Sequence, residues 1–163
     1  MLRISRLADY GTMVMSQMAG NPDRLFSTND LALTLGLGRA TVSKVLKSLA
    51  RHELVASVRG LHGGYALARP PQQITVADVV DALEDQPFGL TECSATSGNC
   101  DIETSCHVRT NWQKISLIVR RALEGVTLAD MIRPAPVDQP VVLQRLRAAA
   151  AQPLPAQPAR SAQ

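Results

Sequence analysis

The chain predicts a mainly α fold carrying one small β-hairpin, and three observations predict it. Apolar residues recur every three or four positions over residues 4–18, 31–35 and 42–49, the spacing of amphipathic helices. Two short strand-like runs, residues 54–58 and 65–68, flank a glycine-rich turn, as in a hairpin. A later helical stretch over residues 108–123 bears an apolar stripe wider than one small domain needs.

Ile4, Leu7, Ala8, Gly11, Val14, Met15 and Met18 define the first helix, which Gly20, Asn21 and Pro22 end. Ser27 followed by Asp30 is a capping box with Asp where Glu or Gln is usual. The short helix it opens is expected to bury Leu31, Ala32 and Leu35, and Gly36 and Gly38 break the chain after it. A third helix over residues 39–51 buries Val42, Val45, Leu46 and Leu49 and turns Arg39, Ala40, Thr41, Ser43, Lys44, Lys47 and Ser48 outward. The hairpin follows, with Arg59, His62, Gly63 and Gly64 in its turn, and Pro70 and Pro71 close the unit.

Thr75 and Asp78 repeat the capping pattern before a helix that buries Val76, Val79, Val80 and Leu83 and stops near Pro87. A loop from residue 88 to about residue 105 carries all three cysteines, Cys93, Cys100 and Cys106. The longer helix then sets Val108, Trp112, Ile115, Val119, Ala122 and Leu123 on one side, joined by Leu117 and Ile118, which predicts a homodimer interface. A short capped helix starts at Thr127. From Pro134 the chain is rich in Pro, Ala and Gln, a composition that predicts a mobile tail, with a helical turn expected over residues 141–151.

Helix, short helix, turn, helix, hairpin is the order of a winged helix-turn-helix. The expected organisation is a DNA-binding unit over residues 1–70, a connecting helix over 71–87, a cysteine loop over 88–107, a dimerisation helix with a short terminal helix over 108–133, and the tail over 134–163. The expected partner is double-stranded DNA. Its reading surface comprises Ser27 and Thr28, then Arg39, Ala40, Thr41, Ser43, Lys44 and Lys47 on the third helix, then Arg59, His62, Gly63 and Gly64. Hydroxyls bond phosphates or base edges, lysine suits phosphate or guanine, and an arginine in a wing reaches a narrow minor groove. The plain alternative is a helical domain with a solvated basic face.

Charge is distributed to match. Residues 1–69 hold nine Lys/Arg against four Asp/Glu, and residues 70–110 hold one against seven. Tyr10, Phe26, Tyr65, Phe88 and Trp112 are the only aromatics, so the core must be aliphatic. No apolar run approaches the ~18 residues of a membrane span. Arg3, Arg6 and Asp9 interrupt the N-terminal segment where a signal peptide would need an apolar stretch, so the expected location is cytoplasmic. No nucleophile–base pair, phosphate loop or catalytic zinc motif is present, and His52, His62 and His107 are scattered, which argues against an enzyme.

The three cysteines are odd in number and lack a secretory context, so a disulfide framework is not expected. Their spacing is not that of a zinc ribbon, and the flexible stretch over residues 94–99 suits a larger object. They are read as metal ligands. A zinc site or a thiol redox switch on the same DNA-binding unit, or an iron–sulfur electron carrier or assembly partner that reads no DNA, are the competing readings.

Val58, Arg59, Gly60, Leu61, His62, Gly63, Gly64 and Tyr65 in succession resemble the wing signature of the IscR/NsrR-type (Rrf) bacterial transcription regulators. So do residues 2–10 and 75–85, and the resemblance covers residues 1–133. The opening segment is most similar to the branch that regulates Suf-type iron–sulfur assembly genes. The resemblance implies that Thr41 and Lys44 face bases and Arg59 the minor groove, while Ala40 fills another reading position without a polar group. It implies an iron–sulfur cluster, 2Fe–2S or 4Fe–4S, on Cys93, Cys100 and Cys106, although the first gap is one residue longer than the family's. For the fourth ligand, Arg109 stands where one branch has a histidine, and His107 adjoins Cys106, which makes joint ligation awkward. Asp9 matches the N-terminal aspartate that another branch supplies from the partner subunit. Glu92, Glu103 and water are further candidates.

Overall fold

The structure, a computed structural model, describes residues 4–60, 63–84 and 88–133. His62 and the tail with its expected turn over 141–151 lie outside the described residues, whereas the helix expected to stop near Pro87 ends earlier, at Leu83, where Glu84 takes an extended backbone. The elements run α1 (Arg6–Ala19), α2 (Thr28–Leu35), α3 (Arg39–Arg51), β1 (Val55–Val58), β2 (Gly64–Leu67), a single 3-10 turn (Pro71–Gln73), α4 (Val76–Leu83), α5 (Glu92–Ala95), α6 (Arg109–Glu124) and α7 (Leu128–Met131). This is a winged helix-turn-helix followed by a long helix.

Local chemistry sets the boundaries. The Ser5 hydroxyl accepts from the Ala8 N–H and starts α1, leaving Ile4 outside the helix and exposed, against the expectation that it joins the apolar stripe. Reciprocal side-chain and backbone bonds between Ser27 and Asp30, Thr75 and Asp78, and Thr127 and Asp130 start α2, α4 and α7. α2 ends at Gly36 in the left-handed region, and Leu35 packs against the core from a half-exposed position instead of being buried.

One aliphatic cluster joins α1, α2, α3, β1, α4 and α7. Met15, Met18, Leu31, Leu46, Leu49, Ile74, Val79 and Leu128 are all fully buried in it. Each such side chain stabilises by about 1.5–3 kcal/mol relative to exposure. The cluster runs across residue 70 without interruption, so α4 packs as part of the helix-turn-helix body. Leu83 lies so close over Gly11 that any side chain there would collide with it.

β1 and β2 pair antiparallel, Val55 opposite Leu67 and Val58 opposite Gly64. Phe26 extends this pair: it and Tyr65 exchange two 2.8 Å backbone bonds. At the far end, the Val76 N–H donates to the Val126 carbonyl at 2.9 Å and Thr75 bridges Thr127. That pairing fixes the base of α6. Along α6 itself only Ser116 is buried, and Trp112, Ile115, Leu117 and Ile118 are 40–56% exposed. Val108 caps this helix from outside rather than joining its stripe. Among the described residues no helix is long and apolar enough to cross a membrane.

Candidate nucleic-acid interface and cysteine loop

α3 separates its two faces cleanly. Val42, Val45, Leu46 and Leu49 are fully buried, whereas Arg39, Ala40, Lys44 and Lys47 are exposed and Thr41 and Ser43 half-buried. Ser48 departs from expectation. It is buried, and its hydroxyl donates a 2.7 Å bond to the Ala82 carbonyl of α4 while accepting from Arg51 at 3.1 Å. The sequence held the signal: position 48 lies three residues after Val45 and beside Leu49, on the inward face. No side chain caps α3 at Gly38, so its first-turn N–H groups have no side-chain partner there. Such a terminus favours anions through its partial positive charge.

Ser27 and Thr28 are half-buried at the start of α2, and Ser27 is engaged in the cap. In the wing, Arg59 is exposed beside Gly60, whose φ is 124°. Glycine at 63 and 64 has a packing cause. A Cβ on Gly63 would collide with the Val58 carbonyl, and one on Gly64 would lie 2.7 Å from the Phe26 oxygen. Next to that crossing, the Arg24 guanidinium stacks 4.9 Å from the Phe26 ring centre, a cation–π contact the sequence did not signal.

The cysteine segment is more structured than a loop. Cys93 sits buried on the short helix α5, and Cys100 and Cys106 are half-buried; all three thiols are free. The Thr91 hydroxyl lies 3.4 Å from Cys93 Sγ. A hydroxyl chain ties this turn to α6: the Thr91 N–H donates to Ser94 Oγ at 2.9 Å, Ser116 Oγ donates to Ser94 Oγ at 3.0 Å, and the Leu90 N–H donates to Ser116 Oγ at 3.1 Å.

Glu103 organises the rest. Its buried carboxylate accepts from the Gly98 N–H at 2.6 Å and the Ser97 hydroxyl at 3.0 Å, and Arg109 pairs with it at 2.5 Å. The Gly98 bond, then the Ser97 bond and the Arg109 charge, hold this carboxyl below the usual glutamate range, against the opposing effect of burial. Arg109, which stands in place of a histidine, therefore closes the loop by an ion pair. Its Nε is buried without a hydrogen-bond partner.

Asp9 is exposed on the first turn of α1, and His107 is exposed beside Cys106. Three free thiols within one short segment are the right donors for an iron–sulfur cluster. Their placement does not assemble one, since among the described residues no three His, Cys, Asp or Glu side chains converge to hold a metal ion. Glu103, a candidate fourth ligand, is already engaged by three partners within the loop and α6.

A helix-turn-helix with an outward cationic helix and an adjoining wing defines the class: a DNA-binding transcription regulator. The Rrf2 family, described as iron-dependent transcriptional regulators, matches residues 4–134, and the chain belongs to that family. It is 30% identical over 136 residues to protein aau3 of Rhizobium meliloti (strain 1021), covering 83% of this chain and 88% of the relative. Among solved structures it is similar to CymR, the global cysteine regulator of B. subtilis, with 28% identity and a TM-score of 0.65 over 81% of this chain and 97% of that one. It is also similar to T. potens IscR, with 29% identity and a TM-score of 0.63 over 85% and 93%.

Proposed function

We propose that this chain is a homodimeric regulator whose cysteine loop senses iron–sulfur status and controls Suf-type iron–sulfur assembly genes. The observation that carries this reading is the position of the three free thiols. They sit in one segment hydrogen-bonded through Ser94 to Ser116 of α6, the helix whose Trp112, Ile115 and Ile118 are left uncovered. A second copy covering that face would set the spacing of two reading heads, and half-sites about 34 Å apart tolerate little change in it. The likeness of residues 2–10 to the Suf branch supports the target genes.

Each residue has a role in this reading. Thr41 and Lys44 reach base edges, and Ala40 lies among them without a polar group. Ser27, Thr28, Arg39, Ser43 and Lys47 position the phosphates, and Arg59 enters the minor groove, joined in DNA contact by His62, Gly63 and Gly64. Cys93, Cys100 and Cys106 would have to draw together to hold the cluster, with Asp9 of the partner subunit as fourth ligand and His107 as its substitute. When bound, the cluster supplies an iron centre that reacts with oxidants and small ligands. The test is anaerobic purification followed by absorption spectroscopy and assays of iron and acid-labile sulfide. Iron and sulfide in stoichiometric amounts support the reading; a colourless protein without sulfide would falsify the cluster.

A second reading has a specific observation behind it. The thiols as placed do not converge on a metal site, and a solved relative is named a cysteine regulator. In that reading the loop is a thiol switch without metal. Reversible disulfide formation that alters DNA binding in metal-free protein would favour it.

A further inference from the structure

α4 ends in a junction. Its last turn, residues 81–84, meets three elements through named contacts. The Ser48 hydroxyl of α3 donates to the Ala82 carbonyl at 2.7 Å. The Ser5 N–H at the start of α1 donates to the Glu84 carboxylate at 3.3 Å, and Leu83 covers Gly11 of α1. From α6, the Arg120 guanidinium meets the Asp81 carboxylate fork to fork, Nη1 to Oδ1 at 2.5 Å and Nη2 to Oδ2 at 2.6 Å. The same guanidinium donates through Nε to Glu124 at 2.9 Å and lies 6.0 Å from the ring centre of Phe88, at the head of the cysteine segment.

These contacts form a continuous path within one subunit. It starts at Cys93 and Thr91, passes through Ser94 to Ser116 on α6, then through Arg120 to Asp81, and from the adjacent Ala82 to Ser48 on the reading helix. The base of α6 is fixed separately by the Val76–Val126 backbone bond. Arg120 lies about 9 Å up the helix from that anchor. A bidentate guanidinium–carboxylate pair there sets the pitch of α6 against α4, because its two parallel bonds fix orientation as well as distance.

We infer that Arg120 is the positioning residue that transmits the state of the cysteine loop to the reading helix of the same subunit, by clamping α6 to the last turn of α4 through Asp81. This rests on the sensing role proposed for the loop, but not on which group occupies it.

The test uses the full-length, metal-free protein with N-ethylmaleimide as the probe that alters the loop thiols, and reads backbone hydrogen exchange segment by segment. In the wild type, alkylation is expected to change exchange rates in the loop, in α6, in the last turn of α4 and in α3. In Arg120→Gln the change is expected to stop at α6. Arg120→Lys, which keeps the charge but not the fork, is expected to fall between the two. Circular dichroism and the thermal midpoint establish that each variant is folded, and Asp81→Asn should reproduce the glutamine variant if one becomes unfolded. Propagation into α3 that is equal in wild type and folded variants overturns the role of Arg120 alone. A wild type in which no alkylation effect reaches α3 overturns the loop's sensing role and the path with it.

Discussion

The hydroxyl of Ser48, on the reading helix, donates a buried 2.7 Å hydrogen bond to the carbonyl of Ala82, on the helix behind it. This bond fixes how α3 seats on the body that presents it. Replacing Ser48 with Ala leaves the carbonyl and the Arg51 donor without their partner. The expected loss is about 1–3 kcal/mol of unfolding free energy. Urea denaturation of Ser48→Ala against wild type measures it. An unchanged midpoint would mean that the bond has no structural weight.

The two exposed lysines of α3 should separate by role. Lys47→Ala is expected to weaken binding about equally on all DNA sequences and to reduce the slope of log affinity against log salt by about 1. Lys44→Ala is expected to cost about 1–3 kcal/mol on the operator and to relax preference at one base pair. Fluorescence anisotropy titrations at several salt concentrations, on operator and scrambled duplexes, distinguish them.

Ile118 is 56% exposed on α6, between Ile115 and Arg121. A charge there should not disturb the core of the subunit but should oppose a covering second copy. Ile118→Glu is expected to sediment as a folded monomer. It should lose about tenfold or more in operator affinity, because the two half-sites no longer bind as one unit. A variant that still sediments as a dimer would move the interface elsewhere.

Glu103 gives a pH dependence of known sign. Its carboxyl is held below the usual range chiefly by the Gly98 N–H, so its folded value is lower than its unfolded one. Its contribution to loop order is complete above the ordinary glutamate value, and is lost as pH falls through the folded value. In metal-free protein, protection of the Gly98 amide is expected to fall over that acidic range. In Glu103→Gln it should already be reduced at neutral pH and change little with acid. Hydrogen-exchange protection factors corrected for intrinsic rates test this.

Much of this was readable from residue order, for identifiable reasons. Helices α1 to α3 announce themselves because Val14, Met15, Met18, Val42, Val45 and Leu49 repeat with helical period, and capping residues mark the starts of α2, α4 and α7. The hairpin is legible because two short runs enclose a glycine-rich turn. What escaped was long-range pairing of polar groups. Ser48 finds a carbonyl 34 residues away and Arg120 a carboxylate 39 residues away, and no local pattern encodes either. α5 is one turn long, too short for periodicity to register. Glu103 and Arg109 were visible as candidate ligand and departure from pattern, but not as partners, because their pairing depends on how the loop folds back.

The central claim, that the cysteine loop governs what the reading head binds, is tested most directly by one paired titration. Protein purified anaerobically is titrated against DNA from upstream of its neighbouring genes, before and after removal of any bound metal and alkylation of the three thiols. The account predicts that affinity for one preferred site changes by about fivefold or more, in the range typical of coupled sites, while binding to scrambled DNA stays nearly constant. Equal affinity for the preferred site in both preparations would contradict it.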